Sequence, residues 1–217
     1  MFVLDSDDAG GSPLAEYSIS DGNSLQLGEE VQPIVADYAR DGVDLTLTAE
    51  TGDFIVVHDY FASFPGPDLI TAGGAKISYD VVAKLAGPGP VAQSSTTQSD
   101  AGGPIGEVAE ITGTVTAKHL DGTSDQLVEG ASVYQGDVLE TGSGGFFSIE
   151  FVDETQFSMG ENGRAVLDEM VYNPSGGNGT FGVSLLQGVF SLVSGQIAKD
   201  DPENVSVKTP VGTIGIR

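Results

Sequence analysis

The chain has 217 residues, 39% of them hydrophobic, with 32 acidic side chains against 8 basic ones and a formal net charge of −24. That apolar content suffices for a core in one large domain or two ordinary ones, while the charge repels nucleic acid and anionic lipid and argues against a phosphate-binding role. With no cysteine there is no disulfide framework, no thiolate zinc site and no cysteine nucleophile.

In chain order, residues 1–13 (MFVLDSDDAGGSP) read as a disordered tail. They lack a basic n-region and are read as neither signal peptide nor membrane anchor. No later run approaches the ~18 apolar residues of a spanning helix, so direct membrane insertion is not expected. Residues 14–86 read as a small β-rich domain. Residues 44–50 (DLTLTAE) and 53–62 (DFIVVHDYFA) are strand-like and joined by Thr51-Gly52, a hairpin signal. A further strand over 31–40 carries Pro33, which would confine it to an edge. One short helix is expected over YDVVAKLA, with Ser78 as N-cap, Asp80 at the positive dipole end, Lys84 at the other and Gly87 as stop. Residues 87–104 (GPGPVAQSSTTQSDAGGP) lose all apolar period and read as a flexible linker.

Residues 105–217 are more regular. Strands are expected over 107–118, 146–152, 155–159, 165–171, 181–186, 189–193 and 205–209, with turn residues between them. Short strands at such spacing predict an all-β sandwich or roll, so the fold class is all-β: two β-rich domains, with the one helix in the first. In FFSIEFV the two-residue period puts Phe147, Ile149 and Phe151 on one face. Tight turns are expected at Gly136-Asp137, Gly142, Gly160, Asn162-Gly163 and Gly188, where positive φ is open to Gly and tolerable for Asn. Arg164, in a chain short of cations, is expected to pair with Asp153, Glu161 or Asp168 at the surface.

Chemistry-bearing patterns are weak. His58 and His119 lie in different regions, with no second histidine or cysteine at ligand spacing, and read as ordinary surface or strand residues. Ser191 and Ser194 lack a G-x-S-x-G elbow. The cluster Asp5, Asp7, Asp8 lacks the glycine and terminal glutamate of a calcium loop, and GGNGTFGVS from Gly176 has Phe181 where a calcium nonapeptide needs aspartate. Asp168-Glu169 and Asp200-Asp201 are neighbours that a strand or turn points apart. No catalytic residue, resident metal or cofactor is expected; calcium on the acidic surface is the one ion allowed for.

The order L-x-x-G-x-x-V-x-x-G-D-V-L-x-T-G from Leu127 to Gly142, then F-x-D-x-T-x-F-x-M-G-x-N-G-R from Phe151 to Arg164, then VKTPVGTIGIR at the end, resembles the FecR domain. With LDEMVYNP and LLQGVFSLVSGQIAK it is similar to the FecR-type module near the N-terminus of very large, repeat-rich surface proteins of Gram-negative bacteria. The resemblance implies a β-rich, non-enzymatic unit of a type I-secreted adhesin in biofilm-type attachment, outer-membrane-associated or secreted without a cleaved N-terminal signal. The family's closing motif usually continues with Gly-Thr beyond Arg217, which implies a longer parent. Thr71-Ala72-Gly73-Gly74 is similar to a periplasmic cleavage site of retained adhesins with one residue changed, although a plain turn is the simpler reading. The alternatives are a periplasmic signalling module like that of the FecR regulators and a self-assembling fibre subunit. Partners would be proteins, or further copies joined through open β-edges. Gly142→Val and Phe151→Asp are expected to damage folding, and His58→Ala and His119→Ala to be near neutral.

Overall fold

The computed structural model describes residues 12–19, 24–89, 103–172 and 179–215. Most of the expected tail and linker, the Asp5, Asp7, Asp8 cluster and the start of the 176–184 motif lie outside the described residues.

The N-terminal unit contains β1 (Ala15–Ser18), β2 (Ser24–Gln26), β3 (Asp37–Asp41), β4 (Asp44–Thr48), β5 (Phe54–His58), β6 (Asp68–Ile70), β7 (Lys76–Ile77) and helix α1 (Tyr79–Ala86). Its larger sheet runs β1-β5-β4-β3 and its smaller one β2-β6-β7. The alternation in β4 and β5 sends Leu45, Leu47, Ile55 and Val57 inward, each at most 1% exposed. Both strands are joined through Gly52 at φ +87°. The strand expected over 31–40 begins only at Asp37: Pro33 has no N–H for a ladder, and Gln32 instead closes a turn by accepting from the N–H groups of Val35 and Ala36. β3 is an edge strand.

Helix α1 lies where the sequence places it, but Ser78 makes no side-chain cap. Asp68 of β6 does that instead, accepting from the Tyr79 N–H at 2.9 Å. Gly87, at φ +78°, ends the helix by donating to the carbonyls of Ala83 and Lys84. The helix buries Val81, Val82 and Leu85, and two turns are too few to persist without that packing.

The C-terminal unit contains β8 (Gly106–Thr112), β9 (Val115–Lys118), β10 (Ser124–Gln126), β11 (Ser132–Val133), β12 (Val138–Thr141), β13 (Phe146–Phe151), β14 (Gln156–Met159), β15 (Arg164–Val171), β16 (Thr180–Gln187), β17 (Phe190–Val193), α2 (Gln196–Asp200), a 3-10 turn at Pro202–Asn204, β18 (Val205–Thr209) and β19 (Gly212–Gly215). A seven-stranded sheet, β10-β9-β12-β15-β16-β18-β19, faces a five-stranded one, β11-β8-β13-β14-β17. Between them lies one core, to which Phe147, Ile149 and Phe151 come from one sheet and Leu139, Leu167 and Val183 from the other. Each such side chain contributes roughly 1.5–3 kcal/mol by leaving water. The expected strand over 107–118 is two strands, because Gly113 at φ +70° breaks it.

β12, β15 and β16 are buried on both faces. Val138, Val166 and Leu186 point away from the sandwich core into the core of the N-terminal unit, beside Tyr38, Val82 and Leu85. The N-terminal unit is therefore a third layer on the outer face of the seven-stranded sheet.

Candidate functional site

The seam between the units is where the chain places its scarce cations. Along the outer face of β15 stand Arg164, Val166 and Asp168, two residues apart and so on one side of the strand. Arg164 is the register partner of Glu140 on β12. Its Nε holds that carboxylate at 2.6 Å, and its guanidinium also reaches Asp37 at 3.7 Å and donates to the Ala36 carbonyl at 2.7 Å. Asp168 takes Lys84 of α1 at 3.0 Å and Lys208 of β18 at 3.5 Å, and accepts from the Ser184 hydroxyl at 2.5 Å. Lys118 of β9 donates to the Leu85 carbonyl at the end of α1, 2.5 Å away. Burial lowers the Lys118 pKa. A backbone bond from the Lys76 N–H to the Pro210 carbonyl, 2.6 Å, joins the two units near β7 and β18.

The expected surface pair of Arg164 with Asp153, Glu161 or Asp168 is thus corrected. Four residues along a strand separate Arg164 from Asp168 by about 13 Å, and each serves a different contact with the N-terminal unit. Nor is Arg164 at the surface: its side chain is 13% exposed. Lys118, Glu140 and Asp37 were missed by sequence reasoning, and Lys84 was read only as the cation at the end of the helix. The available signal was composition, since with 8 basic residues against 32 acidic ones each cation is a candidate for a contact that holds the fold.

Two buried carboxylates brace the sandwich. Asp137, read as a turn residue, is 1% exposed. Its Oδ2 accepts from the Tyr134 N–H at 2.8 Å and its Oδ1 lies 2.7 Å from His119 Nδ1. Burial pulls the His119 imidazolium down, but the bond and charge of Asp137, with Asp125 beyond, outweigh it and hold its pKa above the ordinary value. Burial also pushes the Asp137 carboxyl up, against the pull of His119 and the Tyr134 N–H. The reading of His119 as an ordinary, replaceable residue gives way to that of a partner for a buried acid. His58 is the more exposed histidine, raised by its hydrogen bond to Asp44 at 3.1 Å. Asp153, fully buried, accepts from the Thr155 N–H at 3.0 Å, the Thr155 hydroxyl at 2.8 Å and the Ile197 N–H at 3.3 Å. It ties the β13–β14 turn to α2.

Of the turn positions, Gly136 has φ +90°, Asn162 +52° and Gly188 +107°. Gly142, Gly160 and Gly163 lie outside the left-handed region. Positive φ is therefore not the reason at these three: Gly163 is required by space, since a Cβ there would stand 2.7 Å from the Met159 side chain, while on Gly142 or Gly160 a Cβ would meet only ordinary contacts and nothing in the structure demands glycine. Thr71, Ala72, Gly73 and Gly74 form the tight connection between β6 and β7. The Thr71 hydroxyl accepts from the Ala75 N–H at 3.0 Å, its carbonyl accepts from the Gly74 N–H at 2.9 Å, and Gly74 has φ +81°. Among the described residues no three His, Cys, Asp or Glu side chains are placed to share a metal ion, and no helix is long and apolar enough to cross a membrane.

Comparison with known families places this geometry. Residues 137–217, a little over a third of the chain, match the family model described as FecR protein. The match opens at Asp137, so β8 to β11 of the same sandwich precede it. No curated protein matches the chain. A solved structure described as "Cell surface anchoring domain" is 30% identical over a match that covers 29% of this chain and 83% of that one, at a TM-score of 0.28.

Proposed function

We propose that the chain is a non-enzymatic structural module of a large, type I-secreted cell-surface adhesin, where it anchors or presents an extracellular fibre. The observation that carries this reading is the FecR-matching segment with its sheet covered on both faces. The inner face packs in the sandwich and the outer face takes the N-terminal unit, with Arg164, Lys84 and Lys118 crossing the seam. Such a body is stiff, as a load-bearing or spacing element must be. The polar groups at the seam and in the two braces are engaged in holding backbone and ion pairs, and none is aligned as nucleophile, base and orienting acid.

In this reading calcium acts as a counter-ion to the acidic surface, with no resident cofactor. Partners are proteins, or further copies joined through open edges. β17 (FSLV) and β19 (GTIG) are uncharged edge strands, and uncharged edges invite strand pairing.

The test is surface labelling of cells that produce the parent protein, with antibody raised against this chain. Labelling of intact cells that external protease removes supports the adhesin. Signal only after the outer membrane is opened supports the periplasmic signalling alternative, and signal only in the cytoplasm sinks both.

A further inference from the structure

A groove of about 420 Å³ runs along the seam, with Ile77 and Val81 of the N-terminal unit and Leu186 of β16 as its floor. These three side chains are 2%, 5% and 8% exposed. Lys76 and Lys208 stand on its rims with side chains 59% and 54% exposed. Its lining contains no carboxylate. Three other clefts each carry at least two: Asp80, Asp168, Glu169 and Glu203 in one, Asp37 and Glu140 in the second, Glu107 and Glu150 in the third.

On a chain of net charge −24, this groove is the exception. Two acids stand behind its lysines: Asp68 at 2.6 Å from Lys76, and Asp168 at 3.5 Å from Lys208. Asp168 already serves Lys84 and Ser184, and Asp68 also caps α1. The groove lining itself presents two ammonium groups and no carboxylate beside an apolar floor.

We propose that this groove docks an extended segment of a partner protein that carries acidic side chains on either side of an apolar one. The apolar residue fills the floor over Val81 and Leu186, and its flanking carboxylates meet Lys76 and Lys208. In an extended chain residues i−1 and i+1 leave the backbone on the side opposite residue i, at the open mouth of the groove, where the exposed side chains of Lys76 and Lys208 can reach them. The hydroxyls of Ser78, Thr209 and Thr213 and the backbone of Gly74 and Gly212 line the remaining wall, as suits a peptide backbone. This goes beyond the adhesin reading and holds equally for a module that relays a signal.

The experiment uses the purified, isotope-labelled chain and the probes acetyl-Glu-Val-Glu-amide, acetyl-Gln-Val-Gln-amide and acetyl-Lys-Val-Lys-amide, followed by amide chemical shifts. Saturable shifts at Lys76, Ile77, Leu186 and Lys208 are expected with the glutamate probe, and binding about tenfold weaker with the glutamine probe. Lys76→Gln with Lys208→Gln weakens the glutamate probe about tenfold with little change in melting temperature, since both side chains are more than half exposed. Equal binding of the lysine probe, shifts scattered outside the groove, or no saturable shift up to about 10 mM overturns the proposal. So does co-sedimentation with phosphatidylglycerol vesicles where the glutamate probe fails, which would make the groove a lipid-headgroup site. None of these outcomes depends on where the parent protein resides, so the adhesin reading stands or falls separately.

Discussion

Arg164 donates to the carbonyl of Ala36 at 2.7 Å, across 128 residues of sequence. The same guanidinium holds Glu140, its cross-strand neighbour. One side chain thus joins the middle of the seven-stranded sheet to the edge of the N-terminal unit. Arg164→Ala is expected to lower stability by about 3 kcal/mol, because Glu140 and the Ala36 carbonyl lose their donor in a half-buried seam. Arg164→Lys recovers little of this, since a point charge cannot serve both acceptors. Urea denaturation checks the size. Hydrogen exchange at Tyr38 and Leu85 checks the place, and a loss of protection confined to the seven-stranded sheet would contradict it.

His119 sets a pH dependence. Its folded pKa is raised, so its contribution is fully present below the unfolded value of about 6.5 and is lost as pH rises through the folded value. Stability is therefore expected to decline from about pH 6.5 upward, and the decline to shrink in His119→Gln to the share left by the exposed His58. His119→Ala leaves Asp137 buried without its partner and costs on the order of 3 kcal/mol. Thermal melts from about pH 5 to about pH 9 read both. A flat profile in the parent chain would refute the pairing.

Asp153 makes its bonds to Thr155 and Ile197 wholly out of water. Asp153→Ala strands those donors and is expected to cost about 2–4 kcal/mol, with Asp153→Asn recovering part. A native-like midpoint for the alanine variant would show that water reaches the turn.

Gly188 and Gly142, grouped together by their position in turns, separate in the structure. At Gly188, φ is +107° and a Cβ would stand 2.7 Å from the Gly163 Cα, whereas at Gly142 a Cβ meets only contacts at 3.6 Å. Gly188→Ala is expected to destabilise by at least about 1–3 kcal/mol, and Gly142→Ala by well under that. Equal melting temperatures for the two variants would refute the distinction. Phe151→Ala, which opens a cavity beside Phe181 with ring centroids 4.9 Å apart, is expected to cost about 3–5 kcal/mol.

Much of the fold was legible because side-chain period is a local property. The alternation in DLTLT, FIVVH and FFSIEF directly gives the inward faces seen at Leu45, Val57 and Ile149, and Gly87 marks the end of α1 as the sequence says. Short strands without a period of their own were missed: β2, β6, β7, β10 and β11 have two or three residues each. They exist because a neighbour offers a ladder. β12 hid for the opposite reason. Both its faces are buried, so VLET shows no alternation.

The amino-acid order by itself determined the all-β class, the helix, the inward faces of β4, β5 and β13 and the likeness to the FecR family, because these depend on residues a few positions apart. Only the tertiary structure decided which acid meets Arg164, why Asp137 is buried with His119, and that the N-terminal unit covers Val138, Val166 and Leu186. Those outcomes turn on which sheet face lies against which layer. Contacts made across a hundred residues leave no period in the chain.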